Sequence, residues 1–202
     1  MPPIHTGTRS LWHDDPVPDT RPTLGHDASC DVCVIGGGMA GVLCAYALAT
    51  AGAKVVLLEK DRVGGGDTGR TTAHLANAVD DRFATIESRD GRDVARVSAE
   101  SHTAAIKFLE RTALREGIDC DFLRLSGYLF LPPGADREAL VEEQRAAERA
   151  GLRGVELLAD GPEGSPARGS CLRFPEQAQF HPLRFLRGVV DAIERAGGVV
   201  HE

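Results

Sequence analysis

Three glycines and one acidic residue have the types and spacing needed to hold a ligand. Gly36, Gly38 and Gly41 form a Gly-x-Gly-x-x-Gly pattern directly after the apolar run Val32–Ile35. In such a pattern the first glycine permits a tight turn and the second lets a pyrophosphate approach the backbone, while the third lets a helix pack closely on the sheet. Glu59 follows where a carboxylate can accept hydrogen bonds from an adenosine ribose. The pattern predicts a dinucleotide-binding site.

The segments around these residues occur in the order that such a site requires. The apolar run before the glycines predicts a buried parallel strand, a helix-compatible stretch follows until Gly52, and residues 54–58 predict a second strand. A helix that begins at the glycines offers free N–H groups and a partial positive charge to phosphates. Strand, glycines, helix, strand and acid together favour a βαβ unit that binds a dinucleotide over a glycine-rich turn that binds nothing.

The rest of the chain predicts further helices and strands. Apolar residues recur at helical spacing over 90–116, and the pattern over 122–131 alternates as in a strand. Helices are also predicted over 136–150 and 182–196, a loop over 160–171, and the start of another strand at Val199. We expect an α/β fold, with a Rossmann-like βαβ domain and part of an α+β domain. Its predicted divisions are an extended arm over 1–28, the βαβ unit and a polar loop over 29–85, a helical and mixed region over 86–174, and a helix and strand over 175–202 that return to the first domain.

Composition and charge limit the function classes. The chain has 202 residues, 42% of them hydrophobic and 26% charged, and a formal net charge of −7. This net charge argues against general affinity for nucleic acid or an anionic membrane, because binding to their phosphates needs a basic face. A proline-rich start predicts no secretory signal, and no apolar stretch approaches the roughly 20 residues of a membrane span. We therefore expect a cytoplasmic protein that binds no nucleic acid and has no membrane span.

Cysteines and histidines do not indicate a redox or metal centre. The five cysteines are an odd number and are scattered, which argues against a disulfide framework. Cys30 and Cys33 have the spacing of a redox pair, but such a pair normally opens a helix and Cys33 lies in the first predicted strand. The seven histidines include no pair at metal-ligand spacing. We expect no metal site.

Several segments together resemble the FAD-dependent oxidoreductases of the D-amino acid oxidase superfamily. The resemblance rests on Val-Ile-Gly-Gly-Gly-Met-Ala-Gly at 34–41, Glu-Lys at 59–60, Gly-Gly-Gly-Asp-Thr-Gly-Arg-Thr-Thr-Ala-His at 64–74, and the segments 180–187 and 197–202. The early Ser-Leu-Trp at 10–12 and Asp-Asp-Pro at 14–16 are similar to a subgroup in which a Rieske iron–sulfur domain follows the flavin domain. The resemblance covers about residues 10–202, the N-terminal half or less of such a protein. It identifies the βαβ unit as FAD-binding and the α+β part as a substrate domain.

The resemblance implies roles for individual residues. The pyrophosphate of FAD would contact Gly36, Gly38, Met39 and Gly41, and the adenosine side would contact Glu59 and Lys60. The loop from Gly66 to Thr72 would run along the pyrophosphate and ribityl chain toward the isoalloxazine, with contacts from Gly66, Thr68, Arg70, Thr71 and Thr72. Several relatives have a histidine near position 70 that can carry a covalent flavin link. Arginine cannot form that link, which favours non-covalent FAD.

The same resemblance implies oxidation of an amine or amino-acid C–N bond, with the flavin as hydride acceptor. His74 and His181 could act as acid–base groups, because histidine titrates near neutral pH. A loop hydrogen bond for His74 and a role at a helix N-terminus for His181 are the simpler interpretations. The sequence assigns no catalytic residue.

Two other functions stay open for this sequence, an NAD-dependent dehydrogenase fragment and a truncated non-catalytic remnant. The last predicted strand has only two apolar residues before Glu202, shorter than a buried parallel strand normally is. We therefore expect the sheet to be incomplete at the C-terminus. An incomplete sheet exposes an edge, through which the chain could associate with itself.

Overall fold

The structure is a computed structural model that describes residues 10–14, 20–132, 134, 136–165 and 168–202. Its strands are β1 Val32–Ile35, β2 Val55–Leu58, β3 His74–Leu75, β4 Leu123–Phe130, β5 Glu156–Leu158, β6 Cys171–Gln179 and β7 Val199–His201. Its helices are α1 Met39–Thr50, α2 Phe83–Asp90, α3 Arg92–Glu116, α4 Glu138–Arg149 and α5 Pro182–Arg195. Much of the predicted arm over 1–28, including Asp15 and Pro16 of the Rieske-type motif, lies outside the described residues.

The chain divides into two compact units that are discontinuous in sequence. Unit 1 takes its described residues from Met1–Ala73, Thr112–Asp121 and Phe180–Glu202, and unit 2 from His74–Arg111 and Phe122–Gln179. The four predicted divisions of the chain, with their limits at 28, 85 and 174, stay predictions.

Unit 1 is built on a parallel sheet in the order β1-β2-β7. Val32 pairs with Val55 in the first ladder, and Val56 pairs with Val199 in the second. α1 packs against α5 and β2, and α5 buries most of its apolar face. This is the predicted βαβ unit, with β7 added beside its second strand.

β1 is parallel to β2 as predicted, but the prediction that it is buried is wrong for one of its two faces. Val34 lies beneath the start of α1, where its side chain is 3.5 Å from the position of a Cβ on Gly41. Side chains alternate along a strand, so Cys33 and Ile35 lie on the opposite face. Ile35 is 85% exposed, and no described residue covers it. Among the described strands β1 is also at an edge of this sheet, so one of its sides has no partner strand there.

Unit 2 is an antiparallel sheet covered by helices. The order is β3-β6-β4, and β5 also pairs with β6. A β-bulge between Leu125 and Gly127 interrupts the long β4–β6 ladder. The core of the unit contains fully buried side chains from α2, α4 and β6, among them Phe83, Leu140 and Phe174.

The central strand of unit 2 is the main element that the sequence pattern does not predict. β6 contains Pro175, and a proline inside a run normally argues against a central strand. Glu176 beside it has a positive φ of +62°, so the regular strand conformation is interrupted here. The proline therefore lies at a local irregularity of the strand, where a missing N–H donor is tolerated. The predicted helix over 90–116 is confirmed as α3 from Arg92, but the pattern misses α2, which Gly91 separates from it.

Candidate functional site

Gly36 makes the turn out of β1. Its φ is +107°, a conformation that a residue with a Cβ rarely adopts. Its N–H donates to the carbonyl of Leu58 at 2.8 Å, which ties the turn to the end of β2. The backbone requirement predicted for the first glycine of the pattern is therefore present.

Gly41 allows the helix to start directly over this turn. A Cβ at Gly41 would lie 2.0 Å from the carbonyl oxygen of Gly36, a distance that no real contact shows. The third glycine of the pattern thus serves the contact between α1 and the glycine turn itself, with Val34 of the strand next nearest.

Gly38 is different, because the protein leaves room for a side chain there. Its φ is −79°, ordinary for any residue, and it is the N-cap of α1. A Cβ would have the Thr68 hydroxyl oxygen as its nearest atom, at 3.5 Å, which is ordinary van der Waals contact. Nothing among the described residues requires glycine at this position, so the open space suits a group that approaches from outside.

The N-terminus of α1 carries a positive potential without an acidic side chain in its first turn. Thr68 accepts a hydrogen bond from the Met39 N–H at 3.2 Å. A threonine hydroxyl that accepts one hydrogen bond still has its own proton to donate. The start of α1 together with Thr68 can therefore present donors to an anion.

Glu59 is half-buried at the end of β2, and both its carboxylate oxygens accept backbone hydrogen bonds. Oε2 accepts from the Gly37 N–H at 2.6 Å, and Oε1 accepts from the Asp61 N–H at 2.9 Å. The backbone N–H of Glu59 donates to the carbonyl of His201 at 2.8 Å, which anchors it to β7. Because a carboxylate has about four lone-pair sites, it can accept further hydrogen bonds in this fixed position.

Gly37 is a site residue that the sequence pattern missed. A Cβ on Gly37 would lie 3.0 to 3.1 Å from the side chain of Glu59, so a larger residue would push the carboxylate away. The carbonyl of Gly37 also accepts the N–H of Gly64 at 2.9 Å, which fixes the start of the polar loop. The three consecutive glycines in the sequence were the available signal.

The polar loop contains a short 3-10 turn, Asp67–Arg70, in which Gly69 is buried. Thr68 reaches α1 as described above, and the Thr71 hydroxyl accepts the Ala73 N–H at 3.1 Å. The remaining predicted members of the loop, Gly66, Arg70 and Thr72, are exposed.

The structure therefore brings together six of the predicted residues, namely Gly36, Gly38, Met39, Gly41, Thr68 and Glu59. Glu59 joins this group through its hydrogen bond with Gly37. Lys60 is not among them. Its side chain is 89% exposed and pairs with Asp61 at 3.2 Å.

The two candidate histidines lie in different settings. His181 is buried and caps α5, where its Nδ1 accepts the Arg184 N–H at 3.3 Å. This agrees with the simpler interpretation of a role at a helix N-terminus. His74 is an exposed residue of β3 in unit 2. Within the described residues no three His, Cys, Asp or Glu side chains are grouped so that they could hold a metal ion.

Residues 31–202 match the sequence model of the DAO family, whose description is FAD dependent oxidoreductase. The chain is 35% identical over 185 residues to the gamma-glutamylputrescine oxidoreductase of Escherichia coli, an alignment that covers 89% of this chain and 43% of that protein. It is 31% identical over 181 residues to YhfW of Bacillus subtilis, a protein named for a Rieske 2Fe-2S iron–sulfur centre, with 90% of this chain and 35% of that protein covered.

Solved structures agree with these matches at the level of the fold. The glycine oxidase of Geobacillus kaustophilus superposes with a TM-score of 0.69 at 18% identity, over 86% of this chain and 46% of that one. The L-amino acid deaminase of Proteus myxofaciens gives a TM-score of 0.67 at 20% identity, over 92% of this chain and 40% of that one. The predicted fold class is confirmed. The chain spans less than half the length of these relatives. No described helix is long and apolar enough to cross a membrane.

Proposed function

This chain belongs to the DAO family of FAD-dependent oxidoreductases, and from that premise we propose that its glycine turn, Glu59 and polar loop hold FAD. The observation that carries the proposal is the open space at Gly38, next to the positive end of α1 and beside a carboxylate fixed by two backbone hydrogen bonds. A pyrophosphate needs the first two features and an adenosine ribose needs the third. The residues present fit the cofactor of the family.

The pyrophosphate would lie against Gly36, Gly38, Met39 and Gly41. Thr68 would extend this group of donors, because its hydroxyl accepts a hydrogen bond from the Met39 N–H and can donate its own O–H to a phosphate oxygen. The first turn of α1 contains no acidic side chain, so no residue of that turn opposes the charge of the phosphates.

Glu59 would accept hydrogen bonds from the ribose of the adenosine. Lys60 would lie on the same side of the cofactor, where its exposed ammonium can contribute charge. The exposed loop residues Gly66, Arg70, Thr71 and Thr72 would lie toward the ribityl chain and the isoalloxazine. The cofactor would be held without a covalent bond, because the guanidinium of Arg70 cannot form the histidyl link.

The reaction we propose for the whole protein is oxidation of a small amine or amino acid at a C–N bond. Bound FAD would supply the hydride acceptor, and the residues of this chain would bind and orient it. The names of three relatives support this class of substrate: a gamma-glutamylputrescine oxidoreductase, a glycine oxidase and an L-amino acid deaminase. We assign the glycine turn, Glu59 and the polar loop to cofactor binding, and we assign no residue to the chemical step. A cytoplasmic location stays a prediction.

The test is titration of the purified chain with FAD, followed by the change in flavin fluorescence, for the parent and Gly38→Val. We expect the variant to lose FAD binding, because valine puts three carbon atoms into the space that the pyrophosphate needs. We expect little change in its thermal unfolding, since no described atom lies closer than 3.5 Å to the new Cβ.

The matched control is Gly25→Val, because Gly25 has open space around it, an ordinary φ and no place in the site. This control should bind FAD as the parent does. Equal FAD affinity in the parent and Gly38→Val, or no binding by the parent, would contradict the proposed site.

A further inference from the structure

The N-terminal arm forms a short, well-defined turn. Leu11–His13 is a 3-10 helix, with the Ser10 hydroxyl accepting the Trp12 N–H at 3.4 Å and the Ser10 carbonyl accepting the His13 N–H at 3.0 Å. Leu11 lies on the outside of the turn and is 71% exposed. The turn therefore orients Trp12 and His13 toward the body of unit 1.

Trp12 joins two parts of unit 1 that are far apart in the sequence. Its indole N–H donates to the Thr71 carbonyl at 2.7 Å. Its ring meets the His181 ring edge-on, with 5.0 Å between the ring centroids and an interplanar angle of 69°. Since His181 caps α5, Trp12 ties the end of the polar loop to the start of that helix.

His13 packs against the same loop at Gly69. A Cβ on Gly69 would lie 2.9 Å from the Cε1 and Nε2 atoms of His13 and 2.8 Å from the Gly64 carbonyl oxygen. Gly69 is thus enclosed between the arm and the start of the loop. The arm thus contacts the polar loop at Gly69 and at Thr71. The first of these residues belongs to the 3-10 turn that carries Thr68.

The loop ends in a backbone conformation that needs support. Ala73 is buried and has a φ of +58°, which is uncommon for a residue with a Cβ. Such conformations persist where the surroundings hold them, and they cluster near ligand sites. Here the Ala73 N–H donates to the Thr71 hydroxyl, and the Thr71 carbonyl accepts the hydrogen bond from Trp12.

The arm has a second, independent attachment. The Arg21 N–H donates to a Glu202 carboxylate oxygen at 2.8 Å, and its guanidinium pairs with Asp191 at 2.7 Å and with Glu194 at 3.3 Å. The other oxygen of the Glu202 carboxylate accepts the Val63 N–H at 2.8 Å, so this attachment reaches the start of the polar loop. Within the described residues, none of its hydrogen bonds or ion pairs reaches residues 67–73. Loss of the Trp12 contact should therefore loosen the loop without releasing the arm at Arg21.

We propose that Trp12 is a positioning residue for the polar loop. The indole N–H of Trp12 and the neighbouring His13 hold residues 67–73 in the conformation in which Thr68 contacts the start of α1. The inference rests on the proposed function of that loop. The proposal assigns the arm to binding of the phosphates and ribityl chain of the cofactor. Binding of the adenosine ribose by Glu59 does not depend on the arm.

The experiment compares the parent, Trp12→Phe and Leu11→Ala. Phenylalanine keeps an aromatic ring beside His181 and removes the N–H donor together with the five-membered ring of the indole. Hydrogen–deuterium exchange should become several-fold faster at the amides of 67–73 in Trp12→Phe and stay unchanged in Leu11→Ala. FAD affinity should fall by about fivefold in Trp12→Phe, as expected for one neutral hydrogen bond, while AMP affinity stays the same.

Each outcome decides a separate point. Unchanged exchange at 67–73 in Trp12→Phe overturns the positioning role, whether or not the chain binds FAD. Equal losses of FAD and AMP affinity also overturn it, because a general loss of structure would weaken both ligands. If the parent binds neither ligand, the proposed function fails and the exchange data still decide the role of Trp12.

Discussion

Glu59 shows how one side chain can be set for a ligand by the backbone around it. Its two oxygens already accept the N–H groups of Gly37 and Asp61, so the carboxylate cannot rotate freely. A fixed carboxylate accepts hydrogen bonds from the hydroxyl groups of a ribose and repels a phosphate on the 2′ oxygen. The residue therefore sets both affinity and selectivity in the proposed site.

Glu59→Ala should weaken FAD by about 1–3 kcal/mol, the scale of a hydrogen bond to a charged group. It should also remove the preference for ADP-ribose over its 2′-phosphorylated form, because the repelling charge is gone. Calorimetric titration with FAD and both ADP-ribose ligands measures these effects. Unchanged FAD affinity would place Glu59 outside the site, and a preference that survives the substitution would assign the selectivity to another group.

The residues that the sequence identified share one property, which is that their role follows from local geometry. Gly36, Gly41 and Glu59 could be found because a turn, a close approach and a strand end act within one βαβ unit. The role of Gly37 and the partner of Trp12 in the polar loop could not be found in this way. The role of Gly37 depends on the side chain that comes to rest beside it, and the partner of Trp12 is 59 residues away in the sequence.

At the scale of elements, α2 is held at its start by a residue from another helix. The Glu143 side chain of α4 accepts the N–H groups of Phe83 and Ala84, each at 2.9 Å. α2 receives no hydrogen bond from the side chain of its own N-cap residue, Arg82, whose φ is +66°. Burial raises the pKa of the Glu143 carboxyl, although the two backbone hydrogen bonds oppose that shift.

This arrangement predicts a pH-dependent stability for unit 2. Because the pKa of Glu143 is higher in the folded than in the unfolded chain, its stabilising contribution is complete below its ordinary pKa of 4.5 and is lost as the pH rises through the raised value. In Glu143→Gln this pH dependence should be absent. Urea unfolding of parent and variant at a series of pH values from acidic to neutral measures it.

Glu148→Gln is the matched control, since Glu148 is an exposed glutamate of the same helix. It should follow the parent at every pH. A free energy of unfolding that changes with pH in the same way for parent and Glu143→Gln would contradict the assignment of this dependence to Glu143.

Whether an element was predictable depends on where its stabilising partners lie. β1, α1 and β2 could be predicted because their apolar runs and glycines form one local pattern. β6 is stabilised by pairing with β3, β4 and β5, so distant strands compensate for the proline within it. α2 has only eight residues, and its N-terminal N–H groups are capped by Glu143 of α4. The sequence around α2 does not indicate a capping residue that comes from another helix.

At the scale of the whole molecule, the sheet of unit 1 ends at β1, and no residue that the structure describes covers the apolar face of this strand. Cys33 and Ile35 lie on that face, and Ile35 is 85% exposed. An unpaired edge strand offers N–H and C=O groups to another strand, and an apolar face adds a hydrophobic contact. Self-association through this edge stays a prediction for the 202-residue chain.

We expect the chain to associate as its concentration rises, and Ile35→Lys to shift it toward monomer. Lysine adds a charge at the edge and removes an apolar side chain whose burial contributes about 1.5–3 kcal/mol. Sedimentation velocity over a range of concentrations, under reducing conditions so that Cys33 stays a thiol, measures the change.

Leu114→Lys is the control, because Leu114 is 77% exposed on α3 and is not part of the sheet. If the parent is monomeric throughout, or if both variants suppress association equally, the contact does not run through β1. Suppression by Ile35→Lys alone would identify the exposed face of β1 as part of the surface where two chains meet.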